Sequence, residues 1–400
     1  MNILELKDNF YWTGVQDPDL KAFDIIMLTE FGTSYNSYLL KGSKKTALLE
    51  TAKLNFYDTY KQSVEAITDI ASIDYIIVNH TEPDHVGSVE QLLALNPNLT
   101  LVGTTAAINF LKNIVNHPFE SIIVKDHDTL SLGDMTLRFM PLPNLHWPDT
   151  MYTYWEEKHV LFTCDSFGAH YSHPEVLRST VTREADYLGA VKFYFDNILA
   201  PFKSPYMQRA LERIKDLEID MICTGHGPVL DSHIPEIIEL YTTWCKSENP
   251  NSGYTVIIPY VSAYGYTKTL ATTIQKGLEA NEGISVRTYD MEESNFESVV
   301  KELEFCDGFL LGTPTIVGDA LKPIWELTLS LHTTALKGKL ASAFGSYGWS
   351  GEGVPNIIER LKQLKLTVLD GYRVKFKPNA KELEEAYCFG KQFGATLLTK

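Results

Sequence analysis

From Tyr75 to Val89 the chain reads Tyr-Ile-Ile-Val-Asn-His80-Thr-Glu82-Pro-Asp84-His85-Val-Gly-Ser-Val, an apolar run that ends in a knot of imidazoles and carboxylates. Those two side-chain types together bind transition metals. His80, Glu82 and Asp84 alternate, so an extended or turn-like backbone would aim them to one side, with His85 pointing elsewhere, toward a second metal. A lone histidine after a strand is more often a hydrogen-bonded core residue than a ligand. Several such residues packed on one strand end reverse that balance, and the knot reads as a metal site.

Three further candidates follow apolar runs. Pro141-Leu-Pro-Asn-Leu-His146-Trp-Pro-Asp149 is a rigid loop presenting one histidine. Val160-Leu-Phe-Thr-Cys164 ends in Asp165, for which a turn or helix cap is the competing account. Asp220-Met-Ile-Cys-Thr-Gly225-His226-Gly227 is a strand ending in a histidine between glycines, which allow close backbone approach. For Asp84 an Asx turn is the competing account. His117, His127, His159, His233 and His332 stand in polar or turn contexts and read as solvent-facing. His170 and His173 read as structural or surface residues, with a place near the pocket as the alternative.

The first half of the chain offers a scaffold for these side chains. Short apolar alternations read as antiparallel strands around Val15, over Tyr35–Lys41 and over Lys45–Thr51, with Gly32-Thr-Ser as a turn. Helical spacing runs over Asn55–Ile67, Val89–Leu95 and Thr105–Val115. Further strands fall at Leu101–Gly103, Ser121–Lys125 and Met135–Pro141. Sheet alternating with helix, and ligand types at strand ends, predict an α+β fold: an αββα-like sandwich with its site along one edge.

Ser247-Glu-Asn-Pro-Asn-Ser-Gly253 has linker composition, which divides the chain into residues 1–249 and 250–400. Beyond it the pattern becomes a regular βαβ rhythm. Strands at Tyr254–Pro259, Ile284–Tyr289, Gly308–Gly312, Leu340–Gly345 and Leu366–Asp370 alternate with helices at Thr267–Leu278, Phe296–Leu303, Ala320–Leu331, Val354–Leu364 and Ala380–Leu398. The expectation is an α/β domain, a five-stranded doubly wound parallel sheet with its ligand at the carboxyl ends of the strands. After the first strand, Ser262-Ala-Tyr264-Gly265-Tyr266-Thr267 brings hydroxyls and a glycine to a helix start, which suits a phosphate. After the third stands Gly312-Thr313-Pro314-Thr315-Ile316. After the fourth, Ser346-Tyr347-Gly348-Trp349-Ser350-Gly351 is aromatic enough to sandwich a flat ring. None of these is GxGxxG or a Walker loop, so dinucleotide and nucleoside triphosphate readings lose ground.

Composition narrows the classes further. The net charge of −16 argues against a nucleic-acid surface, which needs clustered Lys and Arg. Five dispersed cysteines without CxxC spacing read as reduced thiols. The Met1-Asn-Ile start lacks a signal peptide's regions, and no apolar run approaches the ~20 residues of a membrane helix. A cytoplasmic protein with no membrane or nucleic-acid partner is expected.

Taken together, His80, Glu82, Asp84, His85, His146, Asp165 and His226 resemble the ligand series of the metallo-β-lactamase fold, whose first knot is usually HxHxDH. Glu82 at the second histidine position marks the flavodiiron proteins (A-type flavoproteins). That resemblance implies a metallo-β-lactamase-like sandwich with His80, Glu82 and His146 on one iron, Asp84, His85 and His226 on the other, and Asp165 bridging. The ligation agrees, since a carboxylate-rich set without thiolates favours iron or manganese over structural zinc. Tyr194 is similar to the tyrosine that the family places near its site, although a core aromatic accounts for it equally well. Several members carry a histidine where this chain reads Leu20-Lys-Ala-Phe-Asp24, and here the sequence departs from them.

The second half resembles flavodoxin. This implies FMN, with its phosphate on Ser262, Tyr264, Gly265, Tyr266 and Thr267. Ring contacts would come from Thr313, Pro314, Thr315 and Ile316, and from Ser346, Tyr347, Gly348, Trp349, Ser350 and Gly351. The two resemblances span nearly the whole chain in the flavodiiron order, and no fused rubredoxin or flavin reductase is expected after Lys400. The implied activity is reduction of dioxygen to water, of nitric oxide to nitrous oxide, or both. Electrons would come from rubredoxin or a reduced deazaflavin, to a head-to-tail homodimer or a tetramer. The alternatives are a zinc hydrolase of the metallo-β-lactamase or glyoxalase II type, against which Glu82 argues, and an electron carrier with a decayed metal site.

Overall fold

The computed structural model describes residues 4–25, 27–246, 249–331, 333–336 and 338–400. Met1 to Ile3, Ser247 and Glu248 of the linker, and His332, all read above, lie outside the described residues. The chain divides into two compact units, Met1–Lys246 and Ser247–Lys400.

In the first unit one sheet runs in sequence order through β1 (Leu4–Lys7), β2 (Phe10–Trp12), β3 (Tyr38–Lys41), β4 (Thr46–Leu49), β5 (Tyr75–Ile77), β6 (Thr100–Gly103) and β7 (Glu120–Ile123). Pairing is antiparallel from β1 to β4 and parallel from β4 to β7. The second sheet holds β8 (Thr129–Ser131), β9 (Thr136–Pro141), β10 (Met151–Trp155), β11 (Val160–Cys164) and β12 (Met221–Thr224), antiparallel except for the last pair. Because successive side chains leave opposite faces, each central strand must cover two apolar layers. Phe10, Leu49 and Ile77 meet Leu137, Phe139 and Phe162 between the sheets. Leu48, Ile76 and Leu101 pack outward with Leu92 and Ile108, and Tyr152, Leu161 and Ile222 with Val191 and Tyr241. The result is a helix–sheet–sheet–helix sandwich.

Two local expectations change. Tyr35–Lys41 is not one strand: Thr33–Tyr35 pairs with Val15–Asp17, and the chain restarts at Tyr38. Asn36 causes the break, giving its backbone N–H to the Gly225 carbonyl (2.9 Å) and its side chain to the carbonyls of Thr224 and Gly227. The left-handed turn sits at Gly32 (φ +65°), while Thr33 and Ser34 are strand. β10 escaped the reading because it is buried on both faces and so lacks alternation.

The second unit is built on parallel strands β13 (Tyr254–Tyr260), β14 (Ile284–Asp290), β15 (Gly308–Gly312), β16 (Leu340–Tyr347) and β17 (Thr367–Val368), in the order β14-β13-β15-β16-β17. A further segment, β18 (Tyr372–Lys375), also pairs with β16. The fifth strand is therefore broken near Gly371, where a Cβ would meet Val354 at 2.5 Å. The helix expected from Ala320 begins later, at Lys322–Leu329, because Asp319–Ala320 folds back on Thr315–Ile316 as a small hairpin. Apolar helices cover both faces of the sheet.

Candidate metal centre and flavin loops

The seven ligand-type residues come together at the carboxyl ends of β5, β11 and β12 and on the β9–β10 loop. Pro83 opens a single helical turn, Pro83–Val86. That turn ends the alternation, so Asp84 joins His85 instead of His80 and Glu82, a correction to the geometry expected from spacing. In the first group His146 Nε2 lies 3.2 Å from both Glu82 Oε2 and Asp165 Oδ2, and His80 Nε2 lies 3.3 and 3.6 Å from the same two oxygens. In the second, His226 Nε2 is 3.0 Å from Asp84 Oδ2, and His85 Nε2 is 3.5 Å from that oxygen and 3.1 Å from Asp165 Oδ1. Asp165 thus presents one oxygen to each group.

His80 with Glu82, and His85 and His146 with Asp165, meet hydrogen-bond geometry, whereas Asp84 does not share in it. Asp84 is buried and neither of its oxygens accepts a hydrogen bond, despite the imidazole 3.0 Å away. A buried carboxylate without donors is costly unless a cation supplies the missing partner. Burial alone would raise the pKa of Asp165 and Glu82, but the flanking histidines more than reverse it and hold both carboxyls well below their usual range. Burial opposes charge on His80, yet Asp149, Glu82 and Asp165 push it up to about 10. The pocket therefore demands positive charge, from protons or from metals. His, Asp and Glu without thiolate fit a non-haem iron pair.

The orientation of the imidazoles is set from behind. His80 Nδ1–H donates to Asp149 Oδ2 (3.1 Å), which also accepts the Thr81 N–H (2.7 Å) and hydroxyl (2.9 Å). His226 Nδ1–H donates to the Ser34 carbonyl at 2.7 Å. In both rings this directs Nε2 at the cluster, where it can ligate once it gives up any proton it holds. Gly225 is required by space, since a Cβ there would lie 2.7 Å from His85 Cε1. Glu50, at φ +58°, accepts the Asn79 N–H at 2.7 Å, and burial pushes its carboxyl up to about 8. Asp149 and Glu50 had no role in the sequence reading. Asp149 had a signal, a carboxylate in the same Pro-braced loop as His146, whereas Glu50 looked like an ordinary polar residue ending a strand.

Tyr194 ends the helix Glu184–Tyr194, directly before the π-helical turn Phe195–Leu199, a distortion common at functional sites. Buried, it donates its hydroxyl to Asp165 Oδ1 at 3.0 Å. His170 is buried beside it, with ring centroids 4.8 Å from Tyr194 and 5.3 Å from His226, so the alternative near the pocket holds. Burial first, then His226, lowers it to about 3, and the ring is neutral. His173 is half-buried on Thr180. His117, His127 and His233 are exposed and His159 is half-buried. Asp24 is exposed, with φ +47°; partial burial first, then the charges of Glu82 and Asp84, raise its pKa.

In the second unit the three loops gather at the carboxyl ends of β13, β15 and β16. Gly265 (φ +79°) precedes the helix Tyr266–Glu279, and a Cβ there would meet nothing within 4 Å. Ser262 accepts the Lys268 N–H, and Thr267 bonds to Ser346 at 3.3 Å. Several hydroxyls of these loops also brace the backbone. Thr313 donates to the Pro314 carbonyl and accepts the Leu321 N–H, Thr315 accepts the Gly353 N–H, and Ser350 donates to Glu352. Tyr264 (80% exposed) and Trp349 (96%) stand open. A helix start left clear by Gly265 and aromatic faces left uncovered fit the phosphate and flat ring of FMN.

Fold and sites define a two-unit, metal- and flavin-dependent oxidoreductase. Residues 33–227 match the ODP family beta lactamase model and residues 258–390 the Flavodoxin model. The Flavo-diiron protein FprA2 of Clostridium acetobutylicum is 40% identical over 404 residues, covering 99% of this chain and 100% of the relative. The Type A flavoprotein fprA of Rhodobacter capsulatus is 38% identical over 96% of this chain and 88% of its own. The crystal structure of the flavodiiron protein from Giardia intestinalis superposes with a TM-score of 0.66 at 28% identity, over 100% of this chain and 97% of that one. The chain belongs to the flavodiiron protein family, whose cofactors are a non-haem diiron pair and FMN. Among the described residues no helix is long and apolar enough to cross a membrane.

Proposed function

We propose that this protein reduces dioxygen to water, nitric oxide to nitrous oxide, or both. His80, Glu82 and His146 would hold one iron, Asp84, His85 and His226 the other, and Asp165 would join them. Residues of the loops Ser262–Thr267, Thr313–Ile316 and Ser346–Gly351 would hold FMN. The observation that carries the reading is the division of Asp165, one oxygen toward each group of imidazoles. When bound, the iron pair supplies a place for two small ligands side by side and the flavin supplies further electrons.

The chain's own residues do the rest. Asp149 and the Ser34 carbonyl aim the imidazoles, and Tyr194 donates its hydroxyl proton to Asp165 across 3.0 Å. Neutral His170 and the Phe23 ring, with centroids 4.3 Å apart, both pack against the His226 ring. The electron donor is proposed to be rubredoxin or a reduced deazaflavin, and the active form a cytoplasmic head-to-tail homodimer or tetramer, on the strength of the family resemblance. The test is anaerobic reduction followed by separate pulses of limiting O2 and NO, watching the flavin absorbance. Fast reoxidation that Glu82→Ala slows more than a hundredfold supports the reading. Slow reoxidation that Glu82→Ala leaves unchanged means simple flavin autoxidation and overturns it.

A further inference from the structure

The loop Ser346–Gly351 is gripped from the side by a segment that the sequence left without a role. β18 pairs in parallel with β16, placing Arg373 opposite Gly345 and Lys375 opposite Tyr347. Phe376 (φ +60°) extends the grip by donating its N–H to the Tyr347 carbonyl at 2.7 Å. Its ring lies against Gly348, where a Cβ would come within 2.7 Å of it. From the other end of the loop, Arg373 donates to the Gly351 carbonyl at 2.9 Å while its guanidinium lies over the Tyr347 ring, 5.8 Å from the centroid. Gly351 itself has φ +82°, and a Cβ there would meet the Tyr347 ring at 2.8 Å. The loop therefore closes onto its own tyrosine, and one arginine holds both ends of that closure.

We infer that Arg373 is a positioning residue for the flavin, fixing Tyr347–Gly351 in the shape that receives the ring. The inference rests on the assignment of this loop to FMN. An exposed loop with two glycines loses much backbone freedom when a ligand orders it, and a loop already ordered does not. Arginine suits the task because its plane can donate at the edge while its face covers an aromatic ring, which lysine cannot do together. Phe376 closes the opposite side through Gly348.

The test uses the full chain stripped of flavin and titrated with FMN, following flavin fluorescence. Arg373→Leu is expected to weaken FMN about tenfold, the sum of a lost cation–π contact and a lost hydrogen bond. The visible circular dichroism of the bound flavin should change, while the melting temperature of the flavin-free protein stays put. Arg373→Lys should recover less than half of the loss. Full recovery by lysine would assign the effect to charge and overturn the positioning role, as would wild-type affinity in Arg373→Leu. If the leucine variant does not fold, Arg373→Gln, which keeps a donor but removes the planar cation over Tyr347, takes its place: weaker FMN supports the inference, unchanged FMN overturns it. Wild-type protein that binds no FMN would instead overturn the assignment of the loop.

Discussion

The metal centre buries His80, Asp84, His85, Asp165 and His226 to 5% exposure or less, whereas the flavin loops leave Tyr264 at 80% and Trp349 at 96%. The first is a set of charges gathered from strand ends far apart in sequence, held in place by side chains behind them and left with more negative charge than burial tolerates. The second is three contiguous loops whose hydroxyls are largely spent on their own backbones. One site is defined by carboxylates and imidazoles brought together under burial; the other by a surface already shaped. Single-atom changes should therefore be severe in the first and graded in the second.

Asp165→Asn gives the sharpest contrast. Removing the charge shared by both groups should strip most of the iron, read by elemental analysis, with FMN stoichiometry unchanged; parallel loss of FMN would break the contrast. Asp149→Ala leaves every proposed ligand in place but frees the His80 ring, and should cost about 10- to 100-fold in iron affinity. The pH dependence is next. In the metal-free protein His80 is raised to about 10, so at neutral pH a proton must leave as metal enters. Affinity for Fe(II) should then rise with pH, by about tenfold per unit for one displaced proton, and fall as pH drops. Calorimetry in buffers of different ionisation enthalpy measures the released proton directly, and zero release would refute the charge account. The smallest effect is expected from Gly265→Ala. Its Cβ has open space, so only the left-handed backbone is strained, at about 1–2 kcal/mol, and FMN should weaken several-fold with iron untouched.

How much of this was legible in the sequence differs between the same two regions. All seven ligand-type residues were visible because each follows an apolar strand, and the βαβ rhythm exposed the flavin loops. The local turn at Pro83 was not, because Pro at a helix start and Pro in an extended turn look alike in sequence. Asp149, Glu50 and Ser34 were invisible in role, since they act across the fold, 69, 29 and 192 residues from the groups they bond. Arg373 was missed for the same reason: its partner is a carbonyl, and carbonyls carry no sequence signal.

All five cysteines are free thiols, so no disulfide ties the chain to itself. With the ligands proposed above, the two irons would do that work. His85 and Asp165 are 80 residues apart, and His226 follows from another strand of the second sheet, so a filled centre would close large loops and pin strand ends of both sheets together. Such loops are the kind whose closure most restricts an unfolded chain. Iron in this protein would then be mortar as well as reagent, and a cell short of it would hold a chain easier to digest in its first unit than in its second.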